Sequence, residues 1–181
     1  MTLAALQQNM RHAYLNGASG ALASGLIWGA AALAANLFSP IASMLTLFFG
    51  GMLIFPLSVV ISKFGNASGK HEPSNMLKHL AVENLGFLFA GLMIAFVVAQ
   101  QDHMLFYPIM LLAIGARYLT FQTIYGVKTY WLFGGSLMIA GALCMVMRPG
   151  MMTVALLGSV IELIFALVLW QQHKATNDAT I

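Results

Sequence analysis

Three ionisable side chains stand inside long apolar stretches of this chain: Glu83, Arg117 and Glu162. A charge at the centre of a bilayer costs about 2.5 to 3.5 kcal/mol on insertion scales, so each such residue is expected to face other helices or a water-filled cavity and to find a partner there. Arg117 lies 11 residues into the fourth apolar stretch and Glu162 lies 11 residues into the sixth. Both stretches enter from the same side, which puts each residue roughly 16 Å deep at 1.5 Å per residue. A guanidinium cannot shed its proton, whereas an isolated carboxyl can become neutral, so Arg117 is the residue that most needs an anion. The matched depth predicts an Arg117–Glu162 ion pair. Such a pair serves either as a staple joining two helices or as part of a binding or gating site.

Glu83 lies nearer an end, about six residues or roughly 9 Å from the start of the third stretch. His79 precedes it by one helical turn and Asn84 follows it, while Ser58, Gln122, Thr123 and Tyr125 fall at similar depths on other stretches. Together these predict a polar vestibule in which Glu83 and His79 carry protons or sense pH. The alternative is a hydrated helix end with ordinary capping polarity. Other chemistry fails on context. The GASG run at residues 17–20 resembles the serine motif of rhomboid proteases, but no histidine lies deep in a later stretch to act as base. HExxH, a phosphate-binding loop and Cys or His at metal-ligand spacing are all missing from the sequence, so no catalytic residue, metal or cofactor is expected. The eight Lys and Arg are scattered without a basic stripe, which argues against nucleic acid as a partner.

The elements that must position these residues follow from composition. Of 181 residues only 7% are charged, against about 25% in soluble domains, and 60% are hydrophobic. Mean hydropathy is +0.86. A soluble domain is excluded, and the fold class is an all-α polytopic membrane protein with six transmembrane helices in one bundle. Residues 1–16 read as an interfacial amphipathic helix, because Leu3, Leu6, Met10 and Tyr14 recur at helical steps. The bundle occupies residues 17–171, with spans near 17–36, 41–62, 77–99, 106–126, 130–147 and 151–170. A short polar tail covers residues 172–181. Pro40, Pro73, Pro108 and Pro149 fall in connections or first turns, whereas Pro56 removes a hydrogen bond inside the second span and predicts a kink.

Arg11, Lys63, Lys70, Lys78, Lys128 and Lys174 fall on one side of the six spans and only Arg148 on the other. The positive-inside rule makes both termini and the 63–76 loop cytoplasmic. Small residues recur at Gly17, Ala21, Gly25 and Gly29, again at Gly91, Ala95 and Ala99, and in the fifth span around Gly134 and Gly141. They serve helix packing inside the bundle or contact between copies in a homo-oligomer.

The runs RHAYLNGASGALASGLIWGAAA (residues 11–32) and LIFPLSVVISK (residues 53–63) carry a resemblance to a family of small bacterial integral membrane proteins of unknown function. The resemblance implies a bacterial inner-membrane protein of this size and helix count, and brings no catalytic residues with it. Three spans followed by three suit an inverted repeat, but the flanks of Glu83 and Glu162 align poorly. The reading that results is a small transporter or permease, with the lipid bilayer as surroundings and a small molecule or ion as substrate. The competing reading is a scaffold or accessory subunit in which the same ionic residues only staple helices; a membrane enzyme comes third.

Overall fold

The computed structural model describes residues 2–178. The predicted amphipathic segment is a separate helix, α1 (Leu3–Tyr14), with Thr2 as its N-cap. It is followed by α2 (Ala18–Leu37), α3 (Pro40–Phe64), α4 (Leu77–Ala99), α5 (Phe106–Tyr125), α6 (Thr129–Met147) and α7 (Met151–Asp178). Among the described residues, six helical segments are long and apolar enough to cross a membrane. Pro40 occupies the first turn of α3, where its missing N–H costs nothing, and the Ser39 hydroxyl caps that helix by accepting from the Ala42 N–H at 3.1 Å. The helix stays continuous through Pro56, and the Ser58 hydroxyl donates to the Phe55 carbonyl just beside it. The last helix runs on past Trp170 to Asp178, so most of the polar tail is helical; residues 179–181 lie outside the described part.

Helix α2 packs on both α7 and α3, while α5 packs on α6 and α4. Glycine makes these approaches close. A Cβ on Gly25 would stand 2.9 Å from the Leu163 side chain, and one on Gly29 would stand 3.1 Å from the Ser159 hydroxyl. Ser159 in turn donates to the Gly25 carbonyl at 2.7 Å. Gly91 abuts Ala113, and Gly115 and Gly134 face each other's carbonyls. The small-residue stripes are therefore used inside the chain, where they let helix backbones pack without a hydrophobic driving force from water. Large apolar side chains such as Phe49, Met52, Phe87 and Met93 are exposed on α3 and α4, as on helices that meet lipid.

Between α1 and α2 the backbone turns left-handed at three successive residues, Leu15 (φ 54), Asn16 (φ 57) and Gly17 (φ 84). Asn and Gly tolerate this region, but Leu15 does so at a cost of about 1–2 kcal/mol, which the surroundings must offset. Leu15 is buried. The Tyr130 hydroxyl donates to the Asn16 carbonyl at 2.7 Å, and the Ser19 hydroxyl reaches back to the Tyr14 carbonyl at 3.3 Å while accepting from Ser62 at 2.8 Å. Residues of α3 and α6 thus hold the break in place. It lets α1 turn across one end of the bundle, where the Arg11 guanidinium donates to the Tyr125 carbonyl at 2.7 Å and the Gln7 amide donates to the Thr123 carbonyl at 2.9 Å. These are carbonyls at the C-terminal turn of α5, which lack intrahelical partners and sit at the negative end of the helix dipole. On its other side α1 holds the 65–76 loop. The Asn75 amide donates to the Leu6 carbonyl and to Asn9, each at 2.9 Å, and the Gly69 N–H donates to the Ala13 carbonyl at 3.0 Å.

Candidate functional site

Glu162 lies 11 residues past Met151, and its side chain is fully buried at 0% exposure. Ser24 of α2 and Tyr118 of α5 flank the carboxyl group. Neither oxygen completes a hydrogen bond of ordinary geometry. The Trp28 indole N–H and the Arg117 Nε are also buried without a partner. Trp28 packs on Gly158, one turn before Glu162 on the same face of α7, and its ring lies 5.5 Å from that of Tyr107. A Trp at this position fits only because residue 158 has no side chain.

The expected Arg117–Glu162 ion pair is not formed. Among the described residues the one ion pair joins Arg148 to Asp102, at the opposite end of the bundle from α1. Arg117 is close enough to Glu162 to interact electrostatically, but its guanidinium carbon lies 5.2 Å over the Phe121 ring on its own helix. The reason is angular. Adjacent helical residues point about 100° apart, and it is Tyr118 that takes the face of α5 turned toward Glu162. The Arg117 backbone meets α4 instead, its carbonyl accepting from the Asn84 amide at 3.3 Å and from the Thr120 hydroxyl at 2.8 Å. Asn84 also donates to Thr120, leaving its own Oδ1 buried without a partner.

The proposed vestibule residues are not gathered. Asn84 turns inward onto α5, while Glu83 and His79 lie on the exposed face of α4 and Gln122 is half-buried near the end of α5. Two clefts open at the α1 end. One, of about 580 Å³, is lined by residues including Arg11, Asn16, Lys128 and Gln172; the other, of about 280 Å³, lies between Leu15, Gly65 and Trp170. Neither cleft is lined by Glu83, Arg117 or Glu162.

Ser24, Trp28 and Tyr118 did not stand out in the sequence as site residues. The available signal was adjacency: Ser24 and Trp28 each precede a glycine of the α2 packing stripe, so they must stand beside the α2–α7 seam. From Tyr118 an aromatic stack leads on through Phe133, whose ring centroid is 4.0 Å away at 19°, to Phe165 at 4.5 Å and 7°. Tyr130 stacks on Tyr125 at 5.5 Å beside the left-handed break. Outside the spans, Tyr14 and His71 share a 2.9 Å hydrogen bond, and burial, then the nearby Lys78 cation, holds the His71 imidazole below its ordinary pKa.

Among the described residues, a bundle of six apolar helices around a buried acid with no cation paired to it defines a multi-pass helical membrane protein. The chain belongs to the family of unknown function DUF7010, which it matches over residues 3–172. No curated protein and no solved structure is significantly similar to it.

Proposed function

We propose that this protein is a small membrane carrier in which the Glu162 carboxyl takes up a proton partway across the bilayer. The observation that supports this reading is the condition of Glu162 itself, fully buried with, among the described residues, only the Ser24 and Tyr118 hydroxyls beside its carboxyl and no cation paired with it. A carboxyl in that state is costly to keep, and intramembrane acids mark proton relays and ion pathways. Trp28, Arg117 and Asn84 carry further buried polar atoms without a hydrogen-bond partner. With six Lys and Arg flanking the α1 end of the spans, the positive-inside rule sets both termini in the cytoplasm, with the bacterial inner membrane as the location.

The test is reconstitution into liposomes holding a pH-sensitive dye, with an imposed proton gradient and potassium plus valinomycin to balance charge. Wild-type vesicles should dissipate the gradient faster than empty ones, and Glu162→Gln should return the rate to that of empty vesicles. A wild-type rate equal to the empty control, or a Glu162→Gln rate equal to wild type, overturns the proposal.

A further inference from the structure

Helix α4 carries a stripe that nothing among the described residues covers. His79, Glu83, Gly86, Ala90, Met93 and Val97 follow one another at steps of four and three residues, the spacing of a helix–helix seam, and every one of them is exposed. A Cβ added to Gly86 would meet no atom within 4 Å. The stripe is turned away from the rest of the bundle. Asn84 and Gly91 face α5, and Phe96 meets Phe48 of α3 with ring centroids 6.0 Å apart. Among the described residues the side chains of Glu83 and His79 make no hydrogen bond or ion pair.

Glu83 lies six residues past Leu77, about 9 Å along a helix roughly 34 Å long, so it falls within a hydrocarbon layer of about 30 Å. Ionisable residues at such depth face a bundle interior or pair with one another. In a single copy Glu83 does neither.

We propose that two copies of this chain associate in parallel through this face of α4. The stripe is self-complementary under a two-fold axis along the membrane normal. Gly86 and Ala90, four residues apart, let the two backbones approach, and the seam brings Glu83 beside His79 of the partner subunit, one turn away. That imidazole offers the carboxylate a donor which its own chain leaves unused. An unlike partner would have to supply both a close-packing helix and a donor at the same level; a second copy supplies both. The pairing is independent of the role given to Glu162, since Glu83 is exposed on α4 while Glu162 is fully buried on α7.

The experiment is oxidative cross-linking in native membranes of full-length single-cysteine variants built on Cys144→Ala. Gly86→Cys and Ala90→Cys should each give a band at twice the 19.5 kDa chain mass. Leu85→Cys, on another face of α4, and Ile139→Cys, exposed on α6, should not. Adding Glu83→Leu to the Ala90→Cys variant should weaken dimerisation roughly three- to thirty-fold, the range spanned by interhelical polar contacts in membranes. Equal cross-linking from all four positions, no dimer from positions 86 and 90, or adducts of another mass would overturn the proposal, as would an unchanged yield with Glu83→Leu. Subunit counting by single-molecule photobleaching of the wild-type chain should give two; a count of one overturns it irrespective of how the variants fold.

Discussion

Replacing Gly17 by Ala probes the left-handed break directly, because two separate costs meet at that atom. The residue has φ 84, where an L side chain costs about 1–2 kcal/mol. An added Cβ would also overlap the Tyr130 hydroxyl and approach the Tyr125 ring to 3.0 Å. Tyr130 must then move, and its 2.7 Å hydrogen bond to the buried Asn16 carbonyl is lost, at about 1–2 kcal/mol once the orphaned carbonyl is counted. The expected total for Gly17→Ala is therefore about 2–4 kcal/mol. Tyr130→Phe removes the same hydrogen bond without backbone strain and should cost about 1–2 kcal/mol. In the double variant the hydroxyl is already gone, so that share is counted only once and the two effects should fall short of additivity by about 1–2 kcal/mol. The assay is reversible unfolding of the detergent-solubilised protein by titration with SDS, followed by tryptophan fluorescence. A Gly17→Ala cost below about 0.5 kcal/mol, or strict additivity with Tyr130→Phe, would refute the reasoning.

Two further perturbations test how α1 is held. Arg11→Met removes a charged donor from the Tyr125 carbonyl and should destabilise by about 1.5–3 kcal/mol, with Arg11→Lys retaining part of the contact; protease accessibility of the first residues reads it out. His71 titrates below its ordinary value in the folded chain because burial, then Lys78, disfavours the imidazolium. The unfolded chain therefore binds more protons in that window, so stability is fully present above about pH 6.5 and declines as the pH falls toward the folded value. Hydrogen exchange in the 65–76 loop should accelerate over that range, and His71→Gln should flatten the dependence.

The six spans and their punctuation were legible in the sequence because hydropathy, proline placement and span length all act locally along the chain. The glycine stripe of α2 was legible too, since a four-residue repeat fixes a face and α7 fills it. What misled was azimuth. Equal depth brought Arg117 into the electrostatic neighbourhood of Glu162, but depth is one coordinate of three, and Tyr118 occupies the direction that contact required. Glu83 shows the same effect: its depth was readable, yet its neighbour Asn84 faces inward and Glu83 does not. The role of Arg11 was hidden differently. Its partner is 114 residues away, and no local pattern announces a carbonyl at that distance.

That separation also orders the assembly of the molecule in time. The first span makes its closest seam with the last, and the Ser159–Gly25 hydrogen bond joins residues 134 apart. At a synthesis rate of about 5–20 residues per second, roughly 7–27 s pass between the appearance of Gly25 and that of Ser159. Throughout that interval the glycine face of α2 has no α7 to close on, and the left-handed turn lacks Tyr130 until α6 emerges. Helix α2 is thus made well before the helices that lock it in place. A nascent chain stalled before α6 would present an open glycine groove to its neighbours in the bilayer, the same kind of surface that the finished protein hides.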